Sequence, residues 1–430
     1  MRKLALFCCS LFLMLPLCLF AQKNKDEIKV YVDCNTWCDM NFVKTEINYV
    51  DFVPDRFLAN VFIMVTSQTT GSGGREILLF FNGQENFKGM HDTLKFYWTS
   101  VETDAEYREN LVRYLKIGLT RFVAQTSLAQ KLNISVPISK NEVAENALSN
   151  KKDKWNFWVF NIGLSGNINS DDYSKYNQVT ARISASRVTE KQKINLNANI
   201  SKNVRTIQFD STTSKFINNN AGIYATIVKS LNDHWSVGGQ ASFAHSTYSN
   251  YDATFSFKPA VEFSFFRYKY AVKKSITLFY SVGPVFNYYI DSGYYDSPKN
   301  LLFQQSLALN VGFLQKWGNF NMEASYRNFL NSFTLDSAKI KGRNINTISI
   351  GGYIEIRIVK GLSLNVSSYA NFTKGIYPNI PRKFFSRDDL LTNTRQYPTE
   401  KSLYTYFGIN YRFGSIYNNV VNPRFNGSVF

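Results

Sequence analysis

Hydrophobic and polar residues alternate with period two through the C-terminal part of the chain, and residues 403–413 (L-Y-T-Y-F-G-I-N-Y-R-F) show this most clearly. In a β-strand successive side chains point to opposite faces. One face would carry Leu403, Thr405, Phe407, Ile409, Tyr411 and Phe413, and the other Tyr404, Tyr406, Gly408, Asn410 and Arg412. Neither face suits a soluble sandwich. The pattern instead predicts a strand with lipid outside, a polar lumen inside and aromatic residues at the membrane interfaces.

The same alternation repeats after Lys154. It predicts twelve strands, at residues 155–167, 176–188, 193–206, 220–231, 235–247, 252–266, 275–290, 301–316, 319–331, 344–358, 361–373 and 402–414. An even number of antiparallel strands is typical of bacterial outer-membrane barrels. We therefore expect a mainly β chain whose larger part is a transmembrane, antiparallel, up-and-down β-barrel.

The connections between these segments alternate in length. Residues 189–192, 232–234, 316–318 and 360–361 are tight turns, whereas 210–219, 291–300, 331–343 and 373–402 are predicted as longer polar loops. Short periplasmic turns and long outer loops are typical of such barrels, and a soluble sandwich does not predict them. The even strand number places both chain ends in the periplasm.

The preceding region, residues 22–130, predicts a small α+β domain. Residues 28–33, 60–70, 75–82 and 87–100 have strand patterns, residues 40–47 a short helical pattern, and residues 50–53 are bounded by turns. Thr103 and Glu106 form a capping box that begins a second helix. Its apolar face would consist of Tyr107, Leu111, Leu115, Gly118 and Phe122.

The glycine-rich segment at residues 71–74 (G-S-G-G) has two interpretations. A phosphate-binding loop would need a helix directly after it, but an apolar, β-rich run follows. We therefore predict a hairpin turn.

Distinct sequence patterns mark the two ends of the chain and the segment between the two predicted domains. Residues 1–21 combine Arg2 and Lys3, an apolar core and Ala21, as a secretory signal peptide does. Residues 131–153 are polar and predict a linker to a barrel at 154–415, with residues 416–430 as a periplasmic tail. No later stretch is long and apolar enough to predict a transmembrane helix.

Cysteine usage fits an exported protein. Signal cleavage removes Cys8, Cys9 and Cys18 and leaves Cys34 and Cys38, for which we expect a disulfide. The C-x3-C spacing supplies only two metal ligands and no His lies nearby, so we predict neither a metal nor a cofactor.

The amino-acid composition indicates the environment in which the protein is expected to lie. Aromatic residues make up 16% of the chain, with 36 Phe and 26 Tyr, as interfacial girdles require. The formal charge is +17, and +15 once Arg2 and Lys3 leave with the signal. Because export makes nucleic acid an improbable partner, we expect anionic outer-membrane lipid and lipopolysaccharide instead.

The sequence resembles outer-membrane proteins of Gram-negative bacteria, and in four motifs an uncharacterised Bacteroidota group with an N-terminal periplasmic domain. The motifs are D-C-x3-C-D at 33–39, V-x-D-R-x2-A-N-V at 53–61, T-G-S-G-G-R-E at 70–76 and F-G-S-I-Y-N-N-V-V-N-P-R-F at 413–425. The aromatic final strand also resembles the one by which the barrel-assembly machinery recognises its substrates. The resemblance implies fold and location in the cell outer membrane, and it implies no activity.

Charged residues on the predicted lumen face are the one constellation that the alternation selects. They are Arg182, Lys258, Glu262, Glu323, Arg327, Glu355, Arg357 and Arg412. They could form a selectivity ring in a pore or an internal network that fills a narrow lumen. Mixed signs favour the network over an anion pore.

These observations predict a structural or assembly protein with an occluded or narrow lumen, and a periplasmic protein partner would be compatible with its N-terminal domain. A porin-like channel for small solutes or anions is the alternative. An outer-membrane lipid hydrolase would need a correctly placed Ser and His, but His245 and Ser246 are adjacent on a strand and point to opposite faces. No G-x-S-x-G motif occurs, so we do not predict an enzyme.

Overall fold

The structure is a computed structural model that describes residues 28–71, 73–99, 101–134, 155–209, 212–315, 317–335, 338–359, 362–381 and 395–411. The expected signal peptide, the C-terminal tail and most of the linker lie outside the described residues. The predicted fold class is confirmed: the chain is mainly β, with a small α+β domain before a sheet of twelve antiparallel strands.

The N-terminal domain contains one five-stranded sheet and two α-helices. Its elements are β1 (Lys29–Cys34), α1 (Met40–Glu46), β2 (Asp51–Phe52), β3 (Val61–Thr69), β4 (Arg75–Gly83), β5 (His91–Trp98) and α2 (Asp104–Val123). The strand order is β2-β1-β3-β4-β5. β1 pairs in parallel with β2 and β3, whereas β3, β4 and β5 are antiparallel neighbours. Short 3-10 helices follow at Arg56–Leu58, Glu85–Phe87 and Ser127–Lys131.

Helix α2 covers one face of this sheet, as its pattern predicts. Thr103 and Glu106 form the capping box, and the five residues of the predicted apolar face are all buried. Gly118 permits close packing, because a Cβ there would lie 2.1 Å from Cζ of the buried Phe81. The helix therefore forms the main core of the domain with β1, β3 and β4.

The second sheet contains twelve long strands in sequence order. They are β6 (Trp158–Ser170), β7 (Ser174–Val188), β8 (Gln192–Phe209), β9 (Thr212–Ser230), β10 (Trp235–Ser246), β11 (Tyr251–Ser264), β12 (Lys274–Tyr289), β13 (Lys299–Gln315), β14 (Gly318–Phe329), β17 (Asn346–Val359), β18 (Leu362–Lys374) and β19 (Lys401–Tyr411). A separate hairpin, β15 (Ser332–Leu335) and β16 (Ala338–Lys341), lies in the connection between β14 and β17. A 3-10 helix follows it at Gly342–Asn344, and another lies at Tyr268–Tyr270.

Each of the twelve strands pairs with its predecessor and its successor in an up-and-down order. The strand bounds agree with the predicted segments to within a few residues, except at the start of β9. Among the described residues no ladder joins β6 to β19, so these two strands are the ends of the sheet. No helix in the described ranges is long and apolar enough to cross a membrane.

Two sequence predictions need correction. The predicted long loop at 210–219 is mostly strand, because the β8–β9 ladder continues to the pair Phe209–Thr212. Residues 212–219 are polar not because they form a loop, but because both faces of this extended hairpin are largely exposed. The strand predicted from residue 87 begins at His91, since Glu85–Phe87 forms a 3-10 turn.

The large sheet curls instead of lying flat. β10 and β18 are six steps apart in strand order, which corresponds to about 29 Å in a flat sheet. Nevertheless, Asn250, in the turn between β10 and β11, donates from Nδ2 to the carbonyl of Asn379 beyond β18, at 3.0 Å. The loops at this end therefore meet across the concave face.

Candidate functional site

The second face of the N-terminal sheet covers the short-turn end of the curled sheet. Phe62, Met64 and Phe80 are at most 8% exposed, although they point away from the helices, and they form a separate cluster with Leu314 at the end of β13. A sheet face with no helix over it would be wet in an isolated domain. Here the rim of the second sheet keeps it dry.

The strongest polar contact at this junction joins the two domains. The guanidinium of Arg357, near the end of β17, holds the carboxylate of Asp33 in β1 through two hydrogen bonds, of which the Nη1–Oδ2 bond is 2.6 Å. The Asp33 and Arg357 side chains are 6% and 16% exposed. Glu355 lies 3.9 Å from the same guanidinium, and the Tyr31 ring centroid lies 5.7 Å from its Cζ. Bidentate pairing of this kind fixes both orientation and charge.

Two further contacts attach the domain elsewhere on the rim. Nζ of Lys273, in the turn before β12, lies 3.7 Å from the ring centroid of Phe80. The hydroxyl of Ser186 in β7 donates to the carbonyl of Gly71 at 2.8 Å. β7 and β17 are eight steps apart in strand order, so one small domain spans the mouth of the curled sheet. We call this covering surface the floor.

The glycine-rich turn of the floor has a structural role. Gly71, Gly73 and Gly74 lie in the β3–β4 hairpin, as predicted, and Gly73 has a left-handed φ of +78°. A Cβ at Gly71 would lie 2.3 Å from Cβ of Val188 in β7. The absence of a side chain at Gly71 therefore lets the hairpin approach the rim.

Burial also changes the acid–base properties of the junction on the N-terminal side. Burial raises the pKa of the Tyr31 phenol, against the opposing effect of Arg357. Burial and the nearby Arg357 charge lower the pKa of Arg56. Asp33, together with Asp55 and Glu355, therefore supplies negative charge beside the Arg56 and Arg357 guanidinium groups.

At the opposite end, the long loops form a second cover, which we call the lid. Asn250, 6% exposed, donates from Nδ2 to the carbonyls of Asp291 (2.8 Å) and Asn379 (3.0 Å) and accepts from the Asp291 N–H (2.8 Å). Asn379 in turn donates to Ser249 O and to Gln396 Oε1, both at 3.1 Å. These bonds join the β10–β11, β12–β13 and β18–β19 connections.

Apolar packing supports the lid. Leu302, Phe329, Phe333 and Ile345 are buried together, with Tyr295 and Tyr377 packed against them. The Tyr377 hydroxyl is 2.9 Å from Thr347 Oγ1, and the Tyr295 hydroxyl donates to Ile376 O at 3.0 Å. The β15–β16 hairpin contributes Phe333, so this hairpin is part of the lid.

Between floor and lid, the concave face lines two open cavities whose walls carry many polar groups. One cavity of about 690 Å³ lies along β12, β13, β14, β17 and β18, and another of about 480 Å³ lies under the lid. Arg327 lines both, whereas Glu323 lines only the larger. Most of the other lining groups are hydroxyls and amides.

The seven predicted lumen charges that the structure describes do not form a single network. Lys258 donates to Gln304 Oε1 instead of pairing with Glu262, and Glu355 accepts from the Tyr353 hydroxyl at 3.0 Å. Within the described residues, Glu355–Arg357 is the one predicted same-strand pair within 4 Å. Glu323 and Arg327 face the cavity, Arg182 in β7 is exposed, and Arg412 lies outside the described residues.

The structure also shows where the two cysteines and the potential metal-ligating residues lie. Cys34 and Cys38 are joined by a disulfide at the start of the N-terminal domain, as predicted. The described residues contain no group of three or more His, Cys, Asp or Glu that could hold a metal ion. His245 uses Nδ1 on the carbonyl of Asp252 at 2.8 Å, a backbone contact within the β10–β11 hairpin.

Sequence reasoning did not identify Asp33, Asn250 or Asn379 as functional residues. The D-C-x3-C-D motif contained Asp33 but gave no partner for it. The polar residues of long loops carry no periodicity, so nothing in the sequence indicated which of them meet.

No protein-family model and no curated protein matches the chain. Among solved structures, it is similar to the translocator domain of autotransporter NalP from Neisseria meningitidis, with a TM-score of 0.28 and 10% sequence identity. That match covers 63% of this chain and 93% of the other.

Proposed function

We propose that this protein is an outer-membrane β-barrel with a periplasmic N-terminal domain and an occluded lumen, in a structural or assembly role. One observation carries the membrane assignment: the convex face of the curled sheet is apolar and exposed along its strands. Ile200, Ile223, Phe257, Leu403 and Phe407 are 56–74% exposed. An apolar surface this extensive is far larger than a soluble monomer presents.

The opposite face has the complementary character. On β17, Thr347, Ser349 and Tyr353 line the cavities of the concave face, while Ile348 and Ile350 are more than 40% exposed on the outside. This apolar-out, polar-in alternation is the pattern of a barrel wall in lipid. In the membrane, the proposal requires β6 and β19 to approach each other, since an open edge in hydrocarbon leaves backbone groups unpaired.

The floor and the lid favour the structural role over a pore. A porin keeps an aqueous path, whereas here a folded domain spans one mouth and packed loops span the other. The porin-like alternative has one observation in its favour, the two polar cavities that share Arg327. An enzymatic role has no comparable support, and the proposal includes none.

The proposed partners follow from location. They are outer-membrane lipid and lipopolysaccharide around the wall, the barrel-assembly machinery during insertion, and a periplasmic protein on the exposed side of the N-terminal domain. No cofactor or nucleic acid is part of the proposal.

Location and topology are tested together on cells. An epitope inserted at Asp172–Tyr173, in the exposed β6–β7 turn at the lid end, is expected to bind antibody on intact cells. An epitope at Ser127, near the end of the N-terminal domain, is expected to bind only after the outer membrane is opened. The membrane-embedded protein should also migrate differently on gels before and after heating. Solubility without detergent, or the reverse labelling pattern, would contradict the proposal.

A further inference from the structure

The outer face of the β7–β8–β9 hairpins carries lysines in an ordered arrangement. In the ladder, Lys175 pairs with Thr206 and Thr206 pairs with Lys215, so two lysines flank one strand in a single row. Two rows nearer the wall centre, Lys202 lies between Val179 and Asn219. All three lysines are exposed, and within the described residues none of them has an ion pair.

Register fixes their spacing. Lys175 and Lys215 are two strands apart, about 10 Å between Cα atoms, and Lys202 is four residues from the row of Thr206, about 13 Å along the strand. We call Lys175, Lys202 and Lys215 the lysine triangle. Because lysine side chains are long and flexible, the three ammonium groups can converge on one anionic group placed between these Cα atoms.

The triangle lies at the edge of an apolar surface. Toward the centre of the wall, the same face continues with Ile200 and Ala221, and then with Ile183 and Ile223. Ile183, Ile200 and Ile223 are each more than half exposed. Near the opposite edge of the sheet, Lys374 and Lys401 lie on the same outer face, at the lid end of β18 and β19. Positive charge at the lid end therefore borders the surface proposed to contact acyl chains.

We propose that the lysine triangle binds the phosphate groups of lipopolysaccharide in the outer leaflet. The inference rests on the proposed function, which places the lid end outside the cell. A molecule with acyl chains and charged phosphates at the interface matches both parts of this surface: isoleucines for the chains and ammonium groups for the phosphates. A freely diffusing phosphate would use only the lysines.

The test compares three proteins purified in detergent: wild type, K175Q/K202Q/K215Q, and the control K191Q/K229Q/K269Q. The control removes the same charge from the opposite rim, where Lys229 is exposed on the same outer face of β9. Each is titrated with purified lipopolysaccharide and with the same material after dephosphorylation. Heat-dependent gel mobility and outer-membrane fractionation are recorded in parallel.

We expect wild type and control to bind intact lipopolysaccharide alike, and the triangle variant to bind at least about tenfold more weakly. Dephosphorylated material should bind all three proteins equally weakly. Equal binding by the triangle variant, equal loss in the control, or indifference to dephosphorylation would overturn the inference. Failure of the barrel proposal itself would show separately, as a wild-type protein without heat-dependent mobility or outer-membrane location.

Discussion

Arg357 and Asp33 are 324 residues apart in the sequence, and their paired side chains connect the wall of the curled sheet to the domain beneath it. Both are largely removed from solvent. Burial of a charge is unfavourable by itself. Here the attraction between the two side chains offsets the desolvation of each, so the removal of either one leaves an unpaired buried charge. The pair is therefore the buried ionic attachment of the floor, beside the apolar cluster of Phe62, Met64 and Phe80 and the Ser186–Gly71 hydrogen bond.

Separating this pair should release the floor. Asp33→Ala or Arg357→Ala leaves the other charge buried alone, which costs roughly 3–5 kcal/mol. We expect faster amide hydrogen exchange in β1 and β3 and a lower unfolding temperature for the N-terminal domain. The reversed pair, Asp33→Arg with Arg357→Asp, should recover part of the loss.

The control for this prediction is Lys116→Ala, which removes an exposed ion pair with Glu46 in the same domain. Exposed pairs contribute only about 0–1 kcal/mol, so its exchange should resemble wild type. Equal effects of Lys116→Ala and Asp33→Ala would show that the Asp33–Arg357 pair has no special role in docking.

The close approach of the β3–β4 turn to the rim gives a second prediction. Gly71→Ala would bring a methyl group to 2.3 Å from Cβ of Val188, so the turn must move away. Overpacking of this kind typically costs 1–3 kcal/mol. We expect partial undocking, measured as increased exchange in β4, and recovery when Val188→Gly is added, because only glycine removes the clashing Cβ. Absence of recovery would mean that the effect arises within the hairpin.

The lid depends on Asn250 in two ways, through its side-chain bonds and through its left-handed φ of +60°. Asn250→Ala loses three hydrogen bonds, leaves buried partners unsatisfied at about 1–3 kcal/mol each, and adds backbone strain. Asn250→Gly loses the same bonds without the strain. We therefore expect both to open the lid, with alanine the more severe.

Lid opening can be followed with Thr347→Cys, which places a thiol under Tyr377. The rate of thiol modification should rise in the Asn250 variants. Asn232→Ala, which alters a turn at the floor end, serves as the control and should leave the rate unchanged. Faster modification in the control alone would contradict the assignment of Asn250 to the lid.

The sequence predicted what local physics determines. Alternation located the twelve strands, and Thr103 with Glu106 located the start of α2, because side-chain direction and capping depend on neighbours in the chain. The 210–219 error has the same origin: polar residues indicate contact with water, but a strand whose two faces are both exposed is polar as well. Asp33–Arg357 and Asn250–Asn379 could not be predicted, since each contact depends on how the sheet curls.

The central claim, an occluded lumen, is tested most directly by single-channel conductance of the purified protein in planar bilayers. Wild type is expected to conduct little, and a chain without residues 22–150 is expected to conduct more, because it lacks the floor. Adding Asn250→Ala to the shortened chain should raise conductance further by opening the lid. A large, steady conductance of the wild-type protein, unchanged by either alteration, would contradict the occluded lumen and favour the porin-like channel.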